Sequence, residues 1–287
     1  MNNFGPGWPG RLSDDDAAEA GRTIPLPSRR DLSTSAGFRR PGSRRRRWAK
    51  RIFWTIALLV TCCLVALAVL LALTPSVGNA RAVARAEAIA HHSPYPGPAV
   101  PRRFAAALIS TEDHRFGSLL EPGVDPFAVA RVFFARLTGG GDQGGATLYQ
   151  QLAKLLYDPS SRGFRLYVYE VALGIKLKFS YSGEQILRMY ADVAYFGHGY
   201  YGLQDASCGY FGVPPGRLSW PQAALLAGLV QAPTDYDPLR YPALARSREG
   251  HVLSRMVATG VLTRREAATA FAVPVSTLVA HAGGCTG

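Results

Sequence analysis

Apolar residues divide the chain into three stretches. Over roughly the first fifty positions aliphatic side chains are sparse among Pro, Gly, Ser and Arg. Such a segment buries too little apolar surface to offset its ordering entropy, so residues 1–51 are expected to form a disordered tail. From Ile52 to Thr74 the pattern inverts, and "IFWTIALLVTCCLVALAVLLALT" runs about 23 residues without a charge. At about 1.5 Å of rise per residue this spans the hydrocarbon of a bilayer, which predicts a transmembrane helix over 52–74. A cleaved signal peptide fits less well: its apolar region is shorter, its basic flank does not follow a long polar stretch, and no small-residue cleavage site is evident. Residues 75–99 are expected to be a membrane-proximal linker.

From about residue 80 onward the apolar spacing is helical. "SGEQILRMYADVAYFG" puts Ile186, Met189, Tyr190 and Val193 on one face, as core residues. "SWPQAALLAGLVQAP" opens with Ser219 and Gln222 three residues apart, a capping box with Pro221 in the first turn, and stops before Pro233. Thr263 and Glu266 in "LTRREAATAF" repeat the device. Long alternating runs and internal repeats are absent, so the chain from about residue 80 onward reads as a mainly α domain. "VDPFAVARVFFARL" (124–137) spreads its apolar positions beyond one stripe, which suits either a buried core helix or an element resting on a membrane with Arg131 and Arg136 at the head groups. The glycines of "TGGGDQGG" then predict a mobile loop.

Charge adds orientation. The formal net charge is +12, and much of the excess lies in "FRRPGSRRRRWAKR" (38–51), just before the apolar span. Only Arg81 and Arg85 follow shortly after it, which places the N-terminus in the cytoplasm and the remainder outside. Contact with anionic lipid head groups accounts for the basic cluster, and no nucleic-acid partner is expected. Cys62 and Cys63 fall within the span, leaving Cys208 and Cys285 outside, where an oxidising compartment permits a disulfide that the sequence cannot establish. No Cys or His spacing resembles a zinc site.

Candidate chemistry begins at "GGATLYQQLAKLL" (144–156). The phosphate-loop pattern is missing and no strand feeds the glycines, so nucleotide binding of that kind is excluded. On a helix beginning near Thr147, Gln150, Gln151 and Lys154 can share one polar edge, with Arg162 further on. Lysine and arginine together suit phosphate oxygens, although a solvated helix face reads the same way. Glu112 in "ISTEDHRF" and Glu170 in "FRLYVYEVALGIKL" each stand among apolar neighbours, a setting that disfavours the charged form and suits proton transfer. Two such acids flanking a Lys/Arg pair suggest glycosyl transfer from a phosphate-linked donor.

"EDHRF", "GGATLYQQLAK", the Arg162 to Glu170 spacing, "QILRMYADVAYFGHGYYG", "YFGVPP" and "AALLAGLVQAPTDYDP", in this order from roughly Val100 to Ala272, resemble peptidoglycan glycosyltransferase family 51. No S-x-x-K or K-T-G is present, so the likeness is to the monofunctional type without a transpeptidase domain. The resemblance implies a lysozyme-like, mainly α helical lobe with a small membrane-dipping jaw over 100–272, followed by a tail over 273–287, polymerising lipid II into glycan strands. It assigns Glu112 as general base toward the acceptor 4-hydroxyl, with inversion at the donor and departure of undecaprenyl pyrophosphate. Lys154 and Arg162 match positions that hold the pyrophosphate, and Glu170 matches a second glutamate near the leaving phosphate or a bound metal. Thr147, Gln150 and Gln151 match the donor cleft, and Asp113 and Phe116 belong to the same substrate-binding motif as Glu112. No obligatory cofactor is implied, although Mg²⁺ or Mn²⁺ stimulates some members. The implied partners are lipid II, the growing strand, the plasma membrane and other wall-synthesis proteins.

Several positions depart from the family pattern. The histidine usual before Gly-Val-Asp is missing from "GSLLEPGVD", Ala146 replaces a serine, and Leu166, Tyr167 and Tyr169 stand where basic residues are usual. Lys178 occupies a common acid position and Asp192 a common asparagine position. Fewer cations weaken the hold on a pyrophosphate, at about 1.5–3 kcal/mol for each charge-assisted hydrogen bond lost. These losses support a second reading, a catalytically weak or silent partner of other wall enzymes. Paired carboxylates also suit a glycan-cleaving enzyme, but the Lys/Arg pair has no task there.

Overall fold

The structure is a computed structural model that describes residues 43–118, 121–125, 145–157, 164–277 and 285. Most of the N-terminal tail, the helix expected over 124–137 from residue 126 on, the glycine loop through residue 144, and Arg162 lie outside the described residues.

Helix α1 (Ser43–Leu73) carries its arginines at the N-terminal end and leaves its apolar side chains exposed, among them Leu58, Leu64 and Leu73. Within it, Arg46–Leu73 is the one stretch among the described residues long and apolar enough to cross a membrane.

The chain after α1 is mainly helical, as its spacing predicts. Helix α2 (Ala80–Ala90) lies inside the stretch read as a linker, and its Ala80, Ala84 and Ala88, four residues apart, are buried in the core. Helix α3 (Arg102–Glu112) buries Phe104, Ala107 and Leu108. Helices α4 (Leu148–Tyr157), α5 (Phe164–Ser180) and α6 (Gly183–Val193) pack around Leu152, Leu173, Leu177 and Ile186. Helix α7 (Gly202–Phe211) ends at Gly212, whose φ of 67° is left-handed and whose N–H returns to Cys208 O, an arrangement that glycine adopts without a Cβ penalty. Helix α8 (Trp220–Leu229) is buried along Ala223–Leu229, as a helix that is apolar all round must be. It packs between α3 and α9 (Pro242–Ala258), with α10 (Arg264–Ala272) beside them. Each fully buried Leu or Phe here contributes about 1.5–3 kcal/mol.

The capping boxes predicted at Ser219–Gln222 and Thr263–Glu266 are both formed, and a third joins Ser182 to Gln185. Among the described residues no strand occurs, only an isolated bridge between Tyr195 and Tyr201. The chain after α1 is tied to the body: Lys176 Nζ donates to the carbonyls of Thr74 (2.7 Å) and Pro75 (2.9 Å), and the Tyr181 hydroxyl to that of Val77 (2.8 Å). Cys208 and Cys285 form a disulfide with 5.3 Å between their Cα atoms, which fastens the C-terminal tail to α7.

Candidate active site

Glu112 is the last residue of α3, so its carboxylate leaves the helix end and enters a cleft of about 680 Å³ lined also by Ala146, Gln151, Lys154, Tyr190 and Arg248. Its side chain is 12 % exposed. Gln151 Nε2 donates to Oε2 at 3.1 Å and Arg248 Nη2 to Oε1 at 3.1 Å, so each oxygen has its own donor. The Tyr190 hydroxyl donates to Gln151 Oε1 at 2.9 Å, which fixes the amide with its NH₂ toward the acid. Burial keeps the Tyr190 phenol protonated, and thus a donor. Arg248 is anchored in turn by Nε to Gly228 O at 3.1 Å.

These contacts set the basicity of Glu112. Burial raises its pKa above the ordinary glutamate value, the hydrogen bond from Gln151 and the Arg248 charge pull it down, and Asp113 pushes it up. A carboxylate made more basic by burial yet held by two donors is suited to accept a proton from a hydroxyl entering the cleft. His251 also lines the cleft, and burial with Arg248 and Arg255 nearby lowers its pKa, which keeps it neutral.

The structure gathers some of the sequence-derived candidates and separates others. Glu112, Gln151 and Lys154 meet at the cleft. Gln150 does not share their edge: it is 1 % exposed, turned inward, and its Oε1 accepts from Thr147 N at 3.1 Å. Thr147 is buried as well, its hydroxyl donating to Gly123 O at 2.8 Å. Asp113 is buried and accepts the Leu148 N–H at 3.0 Å, which pins the start of α4 to the end of α3. Phe116 stacks on Tyr149 with ring centroids 5.0 Å apart. Glu170 is half-buried on α5 and does not line this cleft. Tyr169 packs against the hydrophobic core. Among the described residues no group of three or more His, Cys, Asp or Glu side chains is arranged to hold a metal ion, so no step through Mg²⁺ or Mn²⁺ is derived.

Sequence reasoning missed Arg248, 136 residues from its partner. The signal was available, because Ala245, Arg248 and Val252 are spaced by three and four on α9, which sets an arginine on the stripe that faces the core.

A family model described as Transglycosylase matches residues 80–257. Penicillin-binding protein 1A of Streptococcus oralis is 36% identical over 181 residues, which are 62% of this chain and 28% of that protein. A protein of Cupriavidus necator described as a transglycosylase is 33% identical over 167 residues, 58% of this chain and 71% of its own. The chain thus spans little more than a quarter of the first of these relatives and most of the second. Among solved structures, penicillin-binding protein 1A of Haemophilus influenzae aligns over 63% of this chain and 17% of its own at 21% identity, with a TM-score of 0.37.

Proposed function

Because the chain belongs to the transglycosylase family, we propose that it is a membrane-anchored peptidoglycan glycosyltransferase that polymerises lipid II and releases undecaprenyl pyrophosphate. One observation carries this reading: Glu112 is held by Gln151 and Arg248 in a cleft that also exposes Lys154. A base and a cation on one cleft serve the two ends of a displacement at an anomeric carbon.

In this mechanism Glu112 removes the proton from the acceptor 4-hydroxyl as its oxygen attacks the donor anomeric carbon. The bond to the pyrophosphate oxygen breaks on the opposite face, with inversion. Lys154 stabilises the negative charge that grows on the departing phosphate, and Arg162 is assigned the same task. Gln151 keeps the base oriented through its bond from Tyr190, which reduces the reorganisation left for the transition state. Helix α1 is the anchor, with its arginines on the cytoplasmic side and the cleft outside. The Cys208–Cys285 disulfide supports that placement, since disulfides persist in oxidising compartments.

A second reading, a weak family member that serves other wall enzymes, is favoured by the composition of the cleft. Of its described lining residues only Lys154 and Arg248 are cationic, and Arg248 is engaged with Glu112.

Polymerisation of labelled lipid II by the full-length protein, beside a Glu112→Gln variant, separates the two. Long glycan from the wild type and a loss of at least about 100-fold in the variant are expected, in keeping with removal of a general base. Absence of product from the wild type, with other family members active in parallel, selects the second reading.

A further inference from the structure

Next to Glu112 lies a pair of acids that the mechanism does not use. Glu121 is 3% exposed and Asp113 is 7% exposed, and their carboxyls adjoin. Neither side-chain oxygen of Glu121 has a hydrogen-bond donor among the described residues. A buried carboxylate with no donor is costly, and two beside each other more so, unless one of them holds a proton.

The surroundings decide which one. Asp113 Oδ2 accepts the Leu148 N–H at 3.0 Å, a bond that favours its ionised form. Around Glu121, Lys178 Nζ is directed to Ser118 O at 3.1 Å and the Tyr149 hydroxyl at 3.3 Å, and Arg115 pairs with Asp125. The Tyr149 phenol, pushed up to about 12, stays neutral. His114 and Glu112 act on Asp113, with opposite signs of charge. The proton therefore resides on Glu121 and points to Asp113.

We infer that Glu121 is a positioning residue for the transfer reaction, a neutral acid that shares its proton with Asp113 and so holds the 121–125 loop and the start of α4 beneath the catalytic base. This rests on the reading of Glu112 as that base. The links are continuous: Asp113 holds Leu148 N, Thr147 Oγ1 holds Gly123 O, and one turn along α4 Gln151 holds Glu112. Ionising Glu121 sets two carboxylates against each other in a dry site, pushes Asp113 off Leu148, and removes the donor from the base.

The sign follows from burial and the neighbouring Asp113 charge, which together raise the Glu121 pKa from 4.5 to about 8. A folded-state value above the unfolded one makes stability greatest below the unfolded value and removes it as pH rises toward about 8. The test uses full-length protein in detergent, as wild type and as Glu121→Gln, which keeps the shape and a donor toward Asp113 without an ionisable proton. Infrared spectra should show a protonated carboxylic acid band in the wild type at neutral pH that titrates near pH 8 and is missing from the variant. On labelled lipid II, the wild-type rate should fall about fivefold between pH 8 and pH 9, as a single titration requires, while the variant holds its rate. The proposal is overturned if no band titrates in that range or if both proteins share the same alkaline limb. If the variant fails to fold, the wild-type band decides. If the wild type makes no glycan, the infrared result still tests the shared proton, and it is the proposed function that fails.

Discussion

At the scale of single residues, the behaviour of Glu112 is a contest between burial, which raises its pKa, and two donors, which lower it. Arg248 supplies the full positive charge in that contest, across a 3.1 Å bond with both side chains nearly dry. In Arg248→Ala the carboxyl loses this cation and its pKa moves further up. As the proposed base, Glu112 must be ionised to work, so the acid limb of the kcat/KM profile should shift to higher pH. An unmoved limb, measured between pH 4 and pH 8 (about the span between an ordinary and a strongly raised carboxyl), would remove Arg248 from control of the base. Some of this site was legible in the sequence: Glu112 by its apolar setting, Gln151 and Lys154 by spacing. Gln150 was misplaced because helical spacing brings neighbours to one edge without saying which side chain packing draws inward. Glu121 was not singled out at all. The missing histidine before Gly-Val-Asp and Lys178 at a common acid position read as separate departures, and the structure brings Glu121 and Lys178 into electrostatic reach of each other.

At the scale of elements, the capping boxes and the apolar stripes could be read in advance because they depend on residues three or four apart. Helix α2 was legible as helix but not as part of the body: alanines spaced by four, interleaved with Arg and Glu, carry a weak apolar signal, so 75–99 reads as a linker although Ala80, Ala84 and Ala88 are buried. Close approach matters equally between α4 and α5. A Cβ at Gly174 would lie 3.0 Å from Gly123 O and 3.1 Å from Gln150 Cγ. Alanine is the better helix former by about 1 kcal/mol, but separating two packed helices costs about 1–3 kcal/mol. Gly174→Ala should therefore lower the midpoint of denaturant unfolding. A raised midpoint would mean that the contact yields and that propensity wins.

At the scale of the whole molecule, the apolar span and the helical part that follows it were both evident, since each is written as a sustained pattern. The division between anchor and body was less so, because Thr74, Pro75 and Val77 follow the span directly and are held by Lys176 and Tyr181. Removing residues 1–73 leaves those ties in place and isolates the anchor's contribution. The shortened protein should lose more rate on lipid II embedded in bilayers than on lipid II dispersed in detergent. Equal losses in the two assays would show that α1 does not serve to bring the cleft to its substrate.

The bond between Cys208 and Cys285 closes a loop across 77 positions of the chain. Its first half sits in a helix packed against the core, and its second lies beyond the last helix described. Thiols join only where an oxidant withdraws their electrons, which makes the cross-link a covalent record of the surroundings the chain has met. Chains held under reducing conditions carry the same residues and lack that record, so reduced and oxidised preparations of the protein are two different molecules.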